Sequence, residues 1–179
     1  MRIIGGFHKG RRIKSVSGNL TRPTTDFVRE ALFNIISNEV IDSCFLDLFA
    51  GTGAVGLEAL SRGAKKVVFI EKNPHAFSVI EKNLQDLKSI NKAELIQKDA
   101  TLALTELSRR NYMFDIVFMD PPYYENHIEE CLDILRASKL VKSLVIVQHP
   151  KDETIDFTGF LCYKKKVYGK TTLTFLQKE

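Results

Sequence analysis

Four short apolar runs constrain the fold of this chain more than any other feature: Cys44 to Phe49, Val67 to Ile70, Phe114 to Met119 and Leu144 to Val147. Each is rich in β-branched or aromatic residues, and helical stretches separate them. Runs that are apolar on both faces belong to parallel strands with helices packed on either side, so the pattern predicts an α/β sheet. Ala93 to Gln97 is a weaker strand candidate between the second and third runs. The C-terminal part differs, because Phe160 to Val167 and Thr171 to Leu176 alternate around Tyr168-Gly169-Lys170 and predict an antiparallel hairpin at one edge.

With 179 residues, 44% of them hydrophobic, the chain can bury one continuous core without metals or disulfides. No repeat or linker divides it, so residues 1–179 are expected to form one domain. Within it we expect a basic arm over 1–22, a leading helix within 23–40 and an α/β core over 41–179. Thr25 is a candidate cap for the leading helix, which should run to about Ser37. Its expected apolar stripe is Phe27, Ala31, Leu32 and Ile35, with Arg29 and Glu30 facing elsewhere.

The sharpest local feature is Asp47-Leu48-Phe49-Ala50-Gly51-Thr52-Gly53-Ala54-Val55-Gly56, where the first strand becomes a helix. Gly51 and Gly53 would let the backbone approach a ligand, and Gly56 would let helix and strand pack closely. Twenty residues beyond Gly51 the next strand ends at Glu71, whose carboxylate suits the two hydroxyls of a ribose. An NAD enzyme would show the same features. Asp47 discriminates, because an acid beside a pyrophosphate is repelled, whereas the ammonium and sulfonium of S-adenosylmethionine favour one. Asp99 follows the weak third strand and is placed either to reach an adenine amino group or to cap the next helix; both roles can coexist.

Asp120-Pro121-Pro122-Tyr123 directly follows a buried strand. Two prolines make a rigid, extended loop and remove two donors, leaving carbonyls able to accept hydrogen bonds. An exocyclic amino group on a base attacks a methyl group poorly unless acceptors draw its hydrogens out of plane. Asp120 and the Pro121 carbonyl suit that task, with Asp120 also placed to receive the departing proton, and Tyr123 offers a face for stacking the base. A strand-ending turn is the alternative reading of the tetrapeptide.

Charge is polarised. The first 22 residues hold Arg2, Lys9, Arg11, Arg12, Lys14 and Arg22 without an acid, while the remaining 20 basic and 22 acidic residues leave the body at −2. Arginines interleaved with Ile3, Ile4, Phe7, Ile13 and Val16 around Gly5, Gly6 and Gly10 read as a folded hairpin suited to a polyanion such as nucleic acid. Lys9, Arg11, Arg12, Lys14 and Arg22 are the candidate phosphate contacts, and the arm is expected to supply no ligand to the cofactor. A basic, solvated terminus is the alternative.

No apolar run approaches a membrane span and the start has no signal-peptide core, so a cytoplasmic protein is expected. Cys44, Cys131 and Cys162 lack metal-ligand spacing and are expected to be reduced and mostly buried. The four histidines form no ligand or triad pattern. No metal site and no obligate protein partner are expected, and the chain should be a monomer.

From Arg2 to Leu176 the chain resembles the RsmD family of bacterial small-subunit (16S) ribosomal RNA guanine-N2 methyltransferases. The resemblance rests on Arg2 to Gly6, Arg22 to Asp26 with Val28-Arg29-Glu30, Leu46 to Gly63, Asp120 to Tyr123, and Tyr168 to Thr171. It implies a Rossmann-like class I methyltransferase fold: a seven-stranded, mostly parallel sheet with an antiparallel C-terminal hairpin, plus a small N-terminal β-hairpin arm. It also implies S-adenosylmethionine as methyl donor, N2 of a guanine as acceptor, and ribosomal RNA or the small ribosomal subunit as partner. By resemblance the cofactor role falls on Asp47, Phe49, Gly51, Gly53, Glu71, Asp99 and Ala100, and the acceptor role on Asp120, Pro121 and Tyr123. Two positions depart from the family pattern: Phe27 stands where a basic residue is expected, and Gln148 near where a glutamate is expected after the fifth strand. The competing enzyme is a DNA adenine-N6 or cytosine-N4 methyltransferase, although one domain leaves little room for a target-recognition region. A non-catalytic RNA-binding module would not need the cofactor residues.

Overall fold

The computed structural model describes residues 1–15, 25–123 and 126–179. Its centre is a seven-stranded sheet of β1 (Cys44–Asp47), β2 (Lys66–Ile70), β3 (Ala93–Ile96), β4 (Phe114–Met119), β5 (Val141–Pro150), β6 (Phe160–Tyr168) and β7 (Thr171–Lys178). The spatial order is β3-β2-β1-β4-β5-β7-β6. The first five strands are mutually parallel, and β7 is antiparallel to both β5 and β6. The order reverses at β1, and the crevice beyond such a switch point is where open α/β sheets bind ligands.

Alternation along the strands divides the core into two layers. Phe45, Val67, Ile116 and Leu144 face α1 (Asp26–Ile36), α2 (Ala54–Ser61) and α3 (Pro74–Asp86). Leu46, Val68, Val117 and Val145 face α4 (Ala100–Arg109) and α5 (His127–Ala137). Strands buried on both faces need apolar residues at every position, which is why these runs lack the polar alternation of a half-exposed strand.

Thr25 caps α1, its hydroxyl accepting from Val28 N at 3.3 Å. The buried stripe of this helix is offset from the expected one: Val28, Leu32, Phe33 and Ile36 are buried with Arg29, whereas Phe27 is 67% exposed. Arg29 is tolerated inside because its charge is compensated. Its Nη2 donates to Arg2 O at 2.7 Å and Asp26 Oδ1 at 3.0 Å, and its Nε lies 3.6 Å from the buried Glu58 carboxylate.

The arm folds back on itself through one antiparallel bridge, Arg2 to Arg12, with Ile3 N donating to Arg11 O and Gly10 N to Ile3 O. Ile3 and Ile13 are buried in the α1–α3 layer. Glu58 on α2 receives Ile4 N at 2.9 Å, Gly5 N at 2.7 Å and Arg62 Nε at 2.7 Å, so a buried acid fastens the arm to the body. Val16, Arg22 and the expected turn before Thr25 lie outside the described residues.

The cysteines depart from the expectation of mostly buried thiols. Cys131 is buried, Cys44 is half-buried at the start of β1, and Cys162 is exposed on β6; all three are free. Among the described residues no helix is long and apolar enough to cross a membrane.

Candidate cofactor and acceptor site

The carboxyl ends of β1 to β4 deliver Asp47, Glu71, Asp99 and Asp120 to one cavity of about 390 Å³. That volume falls in the usual range for small-molecule sites, roughly 300–1,000 Å³. Phe49, Gly51, Ala100, Pro121 and Tyr123 also line it. Gly53 does not; it sits behind the wall at φ 76° as the N-cap of α2. Thr52, Val55, Lys72, Asn73 and Lys98 are lining residues that the sequence reading did not single out.

The turn after β1 is held on both sides, since Leu48 N donates to Phe118 O and Ala50 N to Ile70 O, each at 2.9 Å. Between them Phe49 adopts φ 136°, a strained conformation for a residue with a side chain. Those flanking bonds keep it there, at the mouth of the cavity. Behind the turn, a Cβ on Gly56 would come within 2.2 Å of Phe69 Cε1, so only glycine allows α2 to lie this close to β2.

Asp47 and Glu71 brace the loop they would serve. Asp47 Oδ2 accepts from Gly56 N at 2.8 Å. Glu71 Oε2 accepts from Gly51 N and Oε1 from Asn73 N, both at 2.7 Å. Burial pushes the Asp47 carboxyl up to about 7, against the opposing Gly56 hydrogen bond and with a further push from the nearby Glu71 charge. A buried carboxylate so costly to ionise would gain from a cation brought beside it. At Asp99 burial also pushes upward, but hydrogen bonds from Thr101 Oγ1 and N outweigh it and hold the carboxyl below its ordinary value. Asp99 is the N-cap of α4 and a cavity wall at once.

On the acceptor side, Gln148 is buried near the end of β5, and its Nε2 donates to Asp120 Oδ2 at 2.7 Å. The register explains the meeting: Met119 pairs with Val147 in the parallel β4–β5 ladder, so the next residue on each strand is a neighbour. A glutamate at 148 would set a like charge against Asp120, whereas the amide supplies a donor.

The candidate phosphate contacts lie elsewhere. Lys14 Nζ pairs with Asp86 at 2.8 Å, and Arg11 Nη2 donates to Asp86 O at 3.0 Å. Lys9 and Arg12 are exposed and enter no ion pair among the described residues. None of these side chains lines the cavity. The arm is nonetheless linked to the glycine loop through Asn83 on α3. The Asn83 amide clasps the Lys14 backbone, accepting from N at 2.8 Å and donating to O at 3.1 Å, and also contacts the carbonyl of Thr52 at 3.5 Å.

Residues 1–177 match the model of the family described as Conserved hypothetical protein 95. Ribosomal RNA small subunit methyltransferase D of Haemophilus influenzae is 38% identical over 158 residues, which cover 87% of this chain and 81% of that protein. The chain belongs to the RsmD family. Its relatives include a solved structure, the Escherichia coli protein yhhF, with 34% identity and a TM-score of 0.87 over 100% of this chain and 98% of that one. The SAM-dependent methyltransferase from Agrobacterium tumefaciens is 17% identical, with a TM-score of 0.62 over 84% of this chain and 61% of that one, a likeness of fold alone. The sheet of this RsmD family member is thus the Rossmann-like class I methyltransferase sheet.

Proposed function

We propose that this chain transfers a methyl group from S-adenosylmethionine to the exocyclic N2 of a guanine in small-subunit (16S) ribosomal RNA, in the cytoplasm where that RNA is made. The observation that carries the reading is the convergence of Asp47, Glu71, Asp99 and Asp120-Pro121-Pro122-Tyr123 on one cavity, in a member of a family with a relative named for small-subunit ribosomal RNA methylation.

The donor set fits the cofactor. Asp47 is a buried carboxylate beside Glu71, a pair that a cationic ligand would relieve of mutual repulsion. Nothing lies within 4 Å of where a Gly51 Cβ would stand, so the backbone there is open to close approach. Asp47 would hold the ammonium end, Glu71 the ribose hydroxyls and Asp99 the adenine amino group, with Phe49 and Ala100 as apolar walls. When bound, S-adenosylmethionine supplies an electrophilic methyl group. Asp120 and the Pro121 carbonyl would accept the two amino hydrogens of the base, freeing the nitrogen lone pair from the ring, and Asp120 would take the proton released as the methyl passes to that nitrogen and its bond to the sulfonium breaks to leave a neutral thioether. Tyr123 stacks on the base, and Gln148 holds the Asp120 carboxylate in position.

The test uses labelled cofactor with small subunits and naked RNA from cells lacking the enzyme, followed by nucleoside analysis. N2-methylguanosine is expected. N6-methyladenosine, N4-methylcytidine or no transfer would overturn the reading.

A further inference from the structure

The sequence places the excess positive charge on the N-terminal arm, but the fold gathers a second group of cations at the opposite edge of the sheet. From Phe160 to Lys170 the chain holds four lysines and no acid. Lys164, Lys165, Lys166 and Lys170 enter no salt bridge among the described residues, in contrast to Lys14, Lys66, Lys98, Arg110, Arg136 and Lys142, which do. β6 is the edge strand, bonded only to β7. Lys164, Lys166 and Tyr168 pair with Phe175, Leu173 and Thr171, so all three lie on the α1 side of the sheet. At the end of this row Phe27 packs edge-on to Tyr168, ring centroids 5.7 Å apart at 82°, and stays 67% exposed.

The row leads to the acceptor site. Pro150 pairs with Thr171 and Thr171 with Tyr168, which puts the Tyr168 end of β6 at the same edge of the sheet as Gln148 and Asp120. The ends of β4 and β6 are three strand spacings apart, about 14 Å. Cations without acid partners, ending in the exposed Phe27 packed on the half-buried Tyr168 at the same end of the sheet as the cavity, have the chemistry of a single-strand nucleic-acid track: charge for phosphates and a ring face for a base.

Building on the RNA-methylation reading, we propose that the α1 side of β6, with Phe27 and Tyr168 at its end, is a docking surface for single-stranded RNA flanking the target guanine. Lys164 and Lys166 follow the backbone, and Phe27 carries a flanking base. Phe27, where the family pattern calls for a basic residue, thereby contacts a base rather than a phosphate.

Edge lysines also discourage edge-to-edge association of sheets, and that role alone predicts different behaviour. The experiment measures affinity of the full chain for small-subunit RNA from cells lacking the enzyme, between about 50 and 200 mM salt. The doubly substituted Lys164→Ala/Lys166→Ala chain should flatten the slope of log affinity against log salt by up to about 1.4, taking about 0.7 per single-strand contact. Phe27→Ala should weaken binding on the order of tenfold with the slope unchanged, and Phe27→Tyr should restore it. S-adenosylmethionine affinity should stay at the wild-type value in all three, which also reports that they fold. Wild-type RNA affinity and parallel slopes would overturn the docking surface, as would a double variant that merely self-associates. Methylation by the wild-type chain is read separately: its absence would defeat the proposed function, while the binding slopes still decide the surface.

Discussion

Replacing Asp47 by asparagine should make the cofactor-free protein more stable at alkaline pH while removing the pH dependence of S-adenosylmethionine binding. The rise of the Asp47 carboxyl from 3.8 to about 7 corresponds to about 4 kcal/mol at about 1.4 kcal/mol per tenfold, an upper limit to the cost of ionising it in the folded chain. Below about pH 4 the group is protonated in folded and unfolded chains alike and imposes no cost. Between about pH 4 and 7 only the folded chain keeps the proton, so stability falls as pH rises, and above 7 the loss is complete. An asparagine side chain in its place has no charge to desolvate and retains an oxygen for Gly56 N. At about 2–4 °C per kcal/mol for a chain of this size, the cofactor-free Asp47→Asn protein should melt up to about 8–16 °C higher than wild type at pH 8 and close to it at pH 4. Binding runs the other way, because a cation beside Asp47 needs the carboxylate. Wild-type affinity should fall nearly tenfold for each pH unit below 7, with one proton released on binding, and Asp47→Asn should bind weakly at every pH. Calorimetry at pH 6 and 8 in buffers of different ionisation enthalpy reads both quantities. Equal wild-type affinity at the two pH values, with no proton released, would refute the reasoning.

Glu71→Ala removes an anchor of the Gly51 turn together with the ribose acceptor, and should cost roughly 1.5–3 kcal/mol of cofactor affinity by calorimetry. Asp120→Ala should keep cofactor affinity but slow single-turnover methyl transfer about a hundredfold or more; a near-wild-type rate would eliminate Asp120 as the proton acceptor. Gln148→Glu exchanges the donor to Asp120 for a like charge, so the acid limb of the pH–rate profile should move to higher pH, and an unmoved limb would show that Gln148 does not govern Asp120. Gly56→Ala drives a methyl group into Phe69 and should cost roughly 1–3 kcal/mol in urea denaturation.

Legibility in the sequence followed the range of the interactions involved. β4 reads directly as Phe114–Met119, because a strand covered on both faces must be apolar throughout. β5 is longer than its apolar centre, extending from Val141 to Pro150, since Gln148 and His149 are buried by pairing with β7 rather than by their own character. The cavity-lining residues could be placed because Asp47 ends β1, Glu71 and Asp120 directly follow β2 and β4, and Asp99 lies three residues past β3, all at the carboxyl ends where ligand sites of open sheets lie. The inward face of Arg29 was hidden, because its compensation comes from Glu58 and the carbonyl of Arg2, partners 29 and 27 positions away. Gln148 was visible only as a departure from the family pattern. The rule that would have found its contact is that residues one step past the paired ends of neighbouring parallel strands meet.

The seating of the arm has a consequence for synthesis. Ile4 and Gly5 depend on Glu58, 54 and 53 positions later, and the Lys14 backbone depends on Asn83, 69 positions later. At the roughly 5–20 residues per second of translation, the Glu58 partner follows the arm by roughly 3–11 s and Asn83 later still. The arm therefore cannot complete these contacts until the chain through Asn83 has been made. During that interval Ile3 and Ile13 lack the partners that bury them, so two apolar side chains of the arm stay open to water.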